Sequence, residues 1–118
     1  MRLSHALVSF MIAAVIGIAP RGVAAGDDDL VFDIRAQDGH FEPSELTVPA
    51  NRAFTIRVTS AEKTAIEFES FELHRERVVQ PGETITVLIP ALTAGSYKFF
   101  DDFHRDTPEG AIVVKSSP

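Results

Sequence analysis

The chain has 118 residues, with 11 basic and 17 acidic side chains, a net charge of −6 and no cysteine. An acidic surface repels nucleic acid and anionic lipid and suits cations, so neither polyanion is an expected partner. Without cysteine there is no disulfide framework and no thiolate metal ligand.

Residues 1–25 read as a secretory signal peptide. Arg2 and His5 precede an apolar run from Ala6 to Ala19, and Val23-Ala24-Ala25 supplies the small residues of a cleavage site. The run, about 14 residues, is shorter than the roughly 20 that span a bilayer. No Cys follows it, which excludes a lipid-anchored lipoprotein. The expected product is periplasmic, cleaved near Ala25 and without direct membrane insertion. Cleavage removes Arg2, Arg21, Met1 and Met11, leaving about 93 residues with no sulfur and a net charge near −8. Such a chain must hold together by its core, to which eight of the nine Phe residues remain available.

After an acidic leader, Gly26–Asp29, residues 30–115 read as one all-β domain and 116–118 as a frayed tail. "LVFDIRA" opens the domain. "AFTIRV" alternates, with Phe54, Ile56 and Val58 on one face and Thr55 and Arg57 on the other. "TAIEFES" follows, then "TITVLI" with Ile85, Val87 and Ile89 inward, "GSYKFF" and "AIVVK". Turn signals separate these runs at Asp38-Gly39, Pro49-Ala50-Asn51, Pro81-Gly82 and Ala94-Gly95. No segment keeps a 3.6-residue period over three turns. Short strands at this spacing predict a Greek-key β-sandwich.

Two acidic clusters stand out on that scaffold. In "YKFFDDFH", Tyr97, Phe99 and Asp101 alternate onto one face, which carries Asp101 to the inner side of the strand end. His104 follows after the chain turns, and Asp102 reads as loop surface. An inward carboxylate is costly unless it is paired or coordinated. In "TAIEFESFELHRE", Glu67 and Glu69 flank Phe68 and share one face, and Glu72, His74 and Glu76 repeat the alternation. The bland reading makes Glu67 and Glu69 an edge strand's solvent face and pairs Glu72 and Glu76 with Arg75 and Arg77. Ser60, Ser70 and Ser96 lack a nucleophile elbow or an oxyanion loop. The domain is too small for a glycosidase cleft.

The order "FEPSELTVPANRAFTIRVTS", "IEFESFELHRE", "PGETITVLIPALTAGSYKFF", "DDFHRDTPEGAIVV" resembles a cupredoxin domain over about residues 30–115. The resemblance implies a copper site built from a strand-end His, a Cys-x-x-His and a Met. In this chain those positions fall on Glu69, on Asp101 and His104, and near Thr107 or Pro108, so only His104 is kept. The replacements are themselves metal-ligand types. The "EFE" run and the "FFDDFH" loop are similar to a narrower group, the EfeO-like cupredoxin domains and the cupredoxin-like proteins of Ftr-type ferrous-iron uptake. That resemblance implies a metal-binding protein, for copper (Cu2+) and/or iron, that assists Fe(II) oxidation. Its implied partners are a periplasmic iron-binding protein and an inner-membrane iron permease.

Oxygen and imidazole ligands suit Cu2+, Mn2+ and either state of iron, and without thiolate or thioether Cu+ binds poorly. The expected ligands are Glu69, Asp101 and His104, then Glu67, with Glu42 and Asp102 as further candidates. If Glu67, Glu69 and Asp101 converge, Asp101→Ala should relieve repulsion and cost the metal-free protein little. If Asp101 instead caps loop amides, the same change should destabilise it. Two other functions fit the residues: a periplasmic copper carrier or storage protein without redox turnover, and a metal-free module that docks on a membrane partner.

Overall fold

Nine strands form two facing sheets in the computed structural model, which describes residues 29–117. The predicted signal peptide, residues 26–28 of the leader and Pro118 lie outside the described residues. The strands are β1 (Val31–Gln37), β2 (His40–Glu42), β3 (Glu45–Pro49), β4 (Phe54–Ser60), β5 (Ile66–Ser70), β6 (Arg75–Val79), β7 (Thr84–Ile89), β8 (Gly95–Asp101) and β9 (Gly110–Lys115). One sheet runs β2-β1-β4-β7 and the other β3-β9-β8-β5-β6. Both are mixed: β1 runs parallel to β4 and β3 parallel to β9, while the remaining pairs are antiparallel. No helix occurs among the described residues, and the all-β sandwich predicted from the sequence is present.

The alternation that defines the strands also defines the core. Ile34, Ile56, Val58, Val87 and Ile89 face inward from the first sheet, and Val48, Ile66, Ile112 and Val114 from the second. Each such burial contributes roughly 1.5–3 kcal/mol. Three rings join the sheets near the end that carries the "FFDDFH" loop. Phe41 of β2 meets Phe99 and Phe68 edge-on at centroid distances of 5.1 and 6.4 Å, and Phe68 lies 5.2 Å from Phe99. Opposite Phe99 in the β8–β9 ladder stands Gly110, where an added Cβ would come within 2.1 Å of the Phe99 ring. Glycine is required there by the ring that fills the space.

Three strands escape the sequence reading: β2, β3 and β6. Of these, β3 has a clean alternation, with Leu46 and Val48 buried, but it is short and ends in Pro49. In β6, "RERVV" exposes most of its residues and carries no period-2 apolar signal. The short strand β2 is created by the turn before it. Asp38 and Gly39 both have positive φ, 54° and 75°, the geometry of a two-residue type I′ hairpin. That turn sets Gln37 opposite His40.

Candidate metal centre

The hairpin β5–β6 builds a carboxylate cluster on the outer face of the second sheet. Glu67 and Glu69 share that face because they are two residues apart on β5. The chain reverses through Phe71–His74, with His74 at φ 53°, and returns with Glu76 directly opposite Glu69. Glu67, Glu69 and Glu76 each offer a carboxylate oxygen within 4.8 Å of the others. Among the described residues, none of the three is held in an ion pair. Arg75 and Arg77 do not neutralise them. Arg75 donates to the Leu88 carbonyl at 2.9 and 3.1 Å and Arg77 to the Thr86 carbonyl at 3.3 Å, clipping β6 to β7 across the open side of the sandwich. Glu72 is also committed elsewhere, accepting the Lys98 N–H at 2.7 Å.

Glu67 bears the consequence. It is only 7% exposed, and its carboxyl is pushed up to about 7. The first cause is burial, followed by a hydrogen bond with Glu69 and the charges of Glu76, Glu69 and Asp102.

Asp101 sits in the opposite situation. It is 4% exposed and fully supplied with donors. Its Oδ1 accepts the Glu67 and Phe103 N–H groups, each at 3.0 Å, and its Oδ2 accepts from His104 Nδ1 at 2.8 Å. The Glu67 amide is one that the β5–β8 ladder leaves behind, because that ladder has only two registered pairs. His104 Nε2 meets the Thr64 hydroxyl at 3.2 Å.

The expected convergence of Glu67, Glu69 and Asp101 is not formed. Asp101 pairs in register with Phe68, so it shares the Phe68 side of the sheet, and the flanking glutamates take the other side. The residues singled out from the sequence therefore separate. Glu67 and Glu69 lie in the carboxylate cluster, and Asp101 and His104 form a hydrogen-bonded pair at the sheet end. Glu42 lies on β2, with its carboxylate 3.3 Å from the His40 imidazole. Asp102 is exposed; its N–H donates to the Glu67 carbonyl and its carboxylate pairs with Arg105 at 3.3 Å. Sequence reasoning noticed Glu76 but left it on a solvated rim. Pairing "EFES" with "RERVV" across the Phe71–His74 turn is the signal that would have placed it opposite Glu69.

Comparison with known proteins is consistent with this architecture. Residues 7–114 match the model of a family described as cupredoxin-like domain. RP394, an uncharacterised protein of Rickettsia prowazekii (strain Madrid E), is 39% identical over 88 residues, covering 75% of this chain and 70% of that protein. Auracyanin A, a blue copper protein of Chloroflexus aurantiacus, superposes with a TM-score of 0.59 at 19% identity, covering 74% of this chain and 99% of its own. The metal-binding domain of the Cu(I)-exporting P-type ATPase CopA of Streptococcus pneumoniae D39 does so with a TM-score of 0.65 at 12% identity, covering 75% and 88%. At these identities the two structures share the fold.

Proposed function

The chain belongs to the cupredoxin-like domain family, and from that premise we propose that it is an exported metal-binding component of a ferrous-iron uptake system of the EfeO-like or Ftr type. In this reading it works in the periplasm beside an iron-binding protein and an inner-membrane iron permease, and iron is its cargo. Structural neighbours of this fold include copper proteins, which supports a copper-related role. A thiolate copper site does not fit these residues. The chain has no Cys, and Asp101, at the position the resemblance gives to the thiolate, already accepts three hydrogen bonds.

The observation that carries the proposal is the Glu67–Glu69–Glu76 cluster. Three carboxylates that each bring an oxygen within 4.8 Å of the others, one of them buried, favour proton or cation uptake, since either relieves their repulsion. Oxygen donors suit hard cations. Their summed charge stabilises Fe3+ more than Fe2+, which makes bound Fe2+ the better reductant. Oxidation there would need Cu2+ or another redox partner to take up the electron, so in this reading the protein assists oxidation rather than completing it alone.

Anaerobic titration with Fe2+ and aerobic titration with Fe3+, on wild type and on a Glu69→Gln/Glu76→Gln variant, test this reading. Iron binding that is lost in the variant supports it. Tight Cu2+ binding with no iron binding would favour the copper carrier. Absence of both would leave the metal-free docking module, a reading favoured by the exposed ring of Phe71, 64% accessible beside the cluster.

A further inference from the structure

We propose that the outer face of β5–β6 around Phe71 is a docking surface for a protein partner that presents a basic side chain beside an apolar one. The partner's cation enters the cleft between Glu69 and Glu76, and its apolar neighbour covers the Phe71 ring. This surface shares Glu69 and Glu76 with the proposed iron site but does not depend on it.

Apolar exposure beside the cluster is the first observation. Phe71 is 64% accessible and lines one cleft with Glu69 and Glu76. Val78, also exposed, stands opposite Glu67 in the β5–β6 ladder and so shares its face. The Phe71 ring is not loose. It rests edge-on against Phe100 at 5.0 Å, and Phe100 is registered opposite Glu69. An aromatic anchor braced in advance lowers the ordering cost of binding. A metal ion at the carboxylates covers neither apolar group, whereas a protein surface covers both.

The second observation is the charge left open. Glu67 is more than nine-tenths buried, its hydrogen-bond partner is the Glu69 carboxyl, and no N–H or hydroxyl among the described residues donates to its side chain. The cations nearby are committed elsewhere. Arg75 and Arg77 hold carbonyls of β7. Arg105 lies 4.3 Å over the Phe100 ring and 3.3 Å from Asp102, and Lys98 is 3.8 Å from Glu109. The missing positive charge therefore comes from outside the chain. A second copy docking by this face would bring three more carboxylates against these three, and an anionic lipid surface would be repelled in the same way. A basic protein segment is the complementary occupant. The cleft has a volume of about 400 Å³, room for a long side chain with part of the backbone that carries it. Arginine suits it best, because a planar fork of five donors bridges two carboxylates at once. Apolar contacts at Phe71 and Val78 would exclude water around that pair and strengthen it.

The test titrates metal-free wild type, in EDTA at physiological ionic strength, with a capped pentapeptide that carries one Arg between two Leu residues. Amide NMR shifts should saturate and centre on Glu69, Phe71, Glu76 and Val78. Phe71→Ser should weaken the peptide about fivefold or more, and Glu69→Gln/Glu76→Gln about tenfold or more. Glu45→Gln/Asp106→Asn removes the same charge from exposed positions on β3 and the β8–β9 loop, and should leave affinity within about twofold because distant exposed charges are screened. A peptide with Gln in place of Arg should bind at least about tenfold more weakly. No saturable shift, shifts centred away from Phe71, equal losses in the two double variants, or undiminished binding of the Gln peptide would overturn the docking surface. Because EDTA is present throughout, failure here leaves iron binding at the cluster standing, and a cluster that takes no iron leaves the docking surface standing.

Discussion

Glu67 and Asp101 are neighbours in space and opposites in circumstance. Both are acidic, both are more than nine-tenths buried, and the backbone N–H of one donates to the side chain of the other. Yet Asp101 accepts two amides and an imidazole, whereas Glu67 faces two more glutamates. The first carboxylate is compensated within the fold; the second is compensated only by a proton or by a cation from outside. Burial of an acid therefore says little about its role until its donors are counted.

The largest effect should come from Asp101→Ala. Removing the carboxylate leaves the Glu67 and Phe103 amides without their acceptor, at about 1–3 kcal/mol each, so the metal-free protein should lose about 3 kcal/mol in chemical denaturation. This reverses the expectation drawn from a converging cluster. A variant as stable as wild type would erase the contrast between the two acids.

Next in size is metal affinity at the open cluster. Glu69→Gln and Glu76→Gln should each weaken iron binding about tenfold or more, which corresponds to about 1.4 kcal/mol, and neither should destabilise the metal-free protein. Calorimetric titration beside a thermal melt gives both numbers. A large drop in melting temperature would make these glutamates structural, as Asp101 is.

The pH profile sharpens the comparison further. The Glu67 carboxyl holds its proton to about 7 in the native state against an ordinary value of 4.5. Between those values the folded chain binds more protons than the unfolded one, so metal-free stability should fall as pH rises from about 4.5 to 7. Glu67→Gln should flatten that slope, and saturating metal should do the same. Denaturation at a series of pH values measures it; a slope unchanged in Glu67→Gln would place the titrating group elsewhere.

The smallest effect is expected at Asp102. Its exposed pairing with Arg105 is worth at most about 1 kcal/mol. Its charge, however, helps raise Glu67. Asp102→Asn should leave the melting temperature nearly unchanged and move the Glu67 midpoint slightly downward, read by carbon NMR of the carboxyl. An upward move would contradict the electrostatic account.

Much of the architecture was legible along the chain. Alternation in "AFTIRV" and "TITVLI" needs only the period of a strand and the preference of apolar groups for the interior. Asp101 could be placed at an inward strand end for the same reason, and the absence of cysteine excluded a thiolate site before any fold was known. The composition of the sites was likewise local: "EFE" announces two carboxylates on one face. Which groups meet was not local. Register decides it, and register is a pairing between distant segments that no single run of residues encodes. Phe68 opposite Asp101 sends Glu69 away from His104, and Glu69 opposite Glu76 supplies the third carboxylate. A type I′ turn at Asp38-Gly39 sets His40 beside the same cleft as His104 across more than sixty residues of chain. The strand period assigns each side chain a face; only the closed sandwich assigns it neighbours, because those neighbours come from other strands.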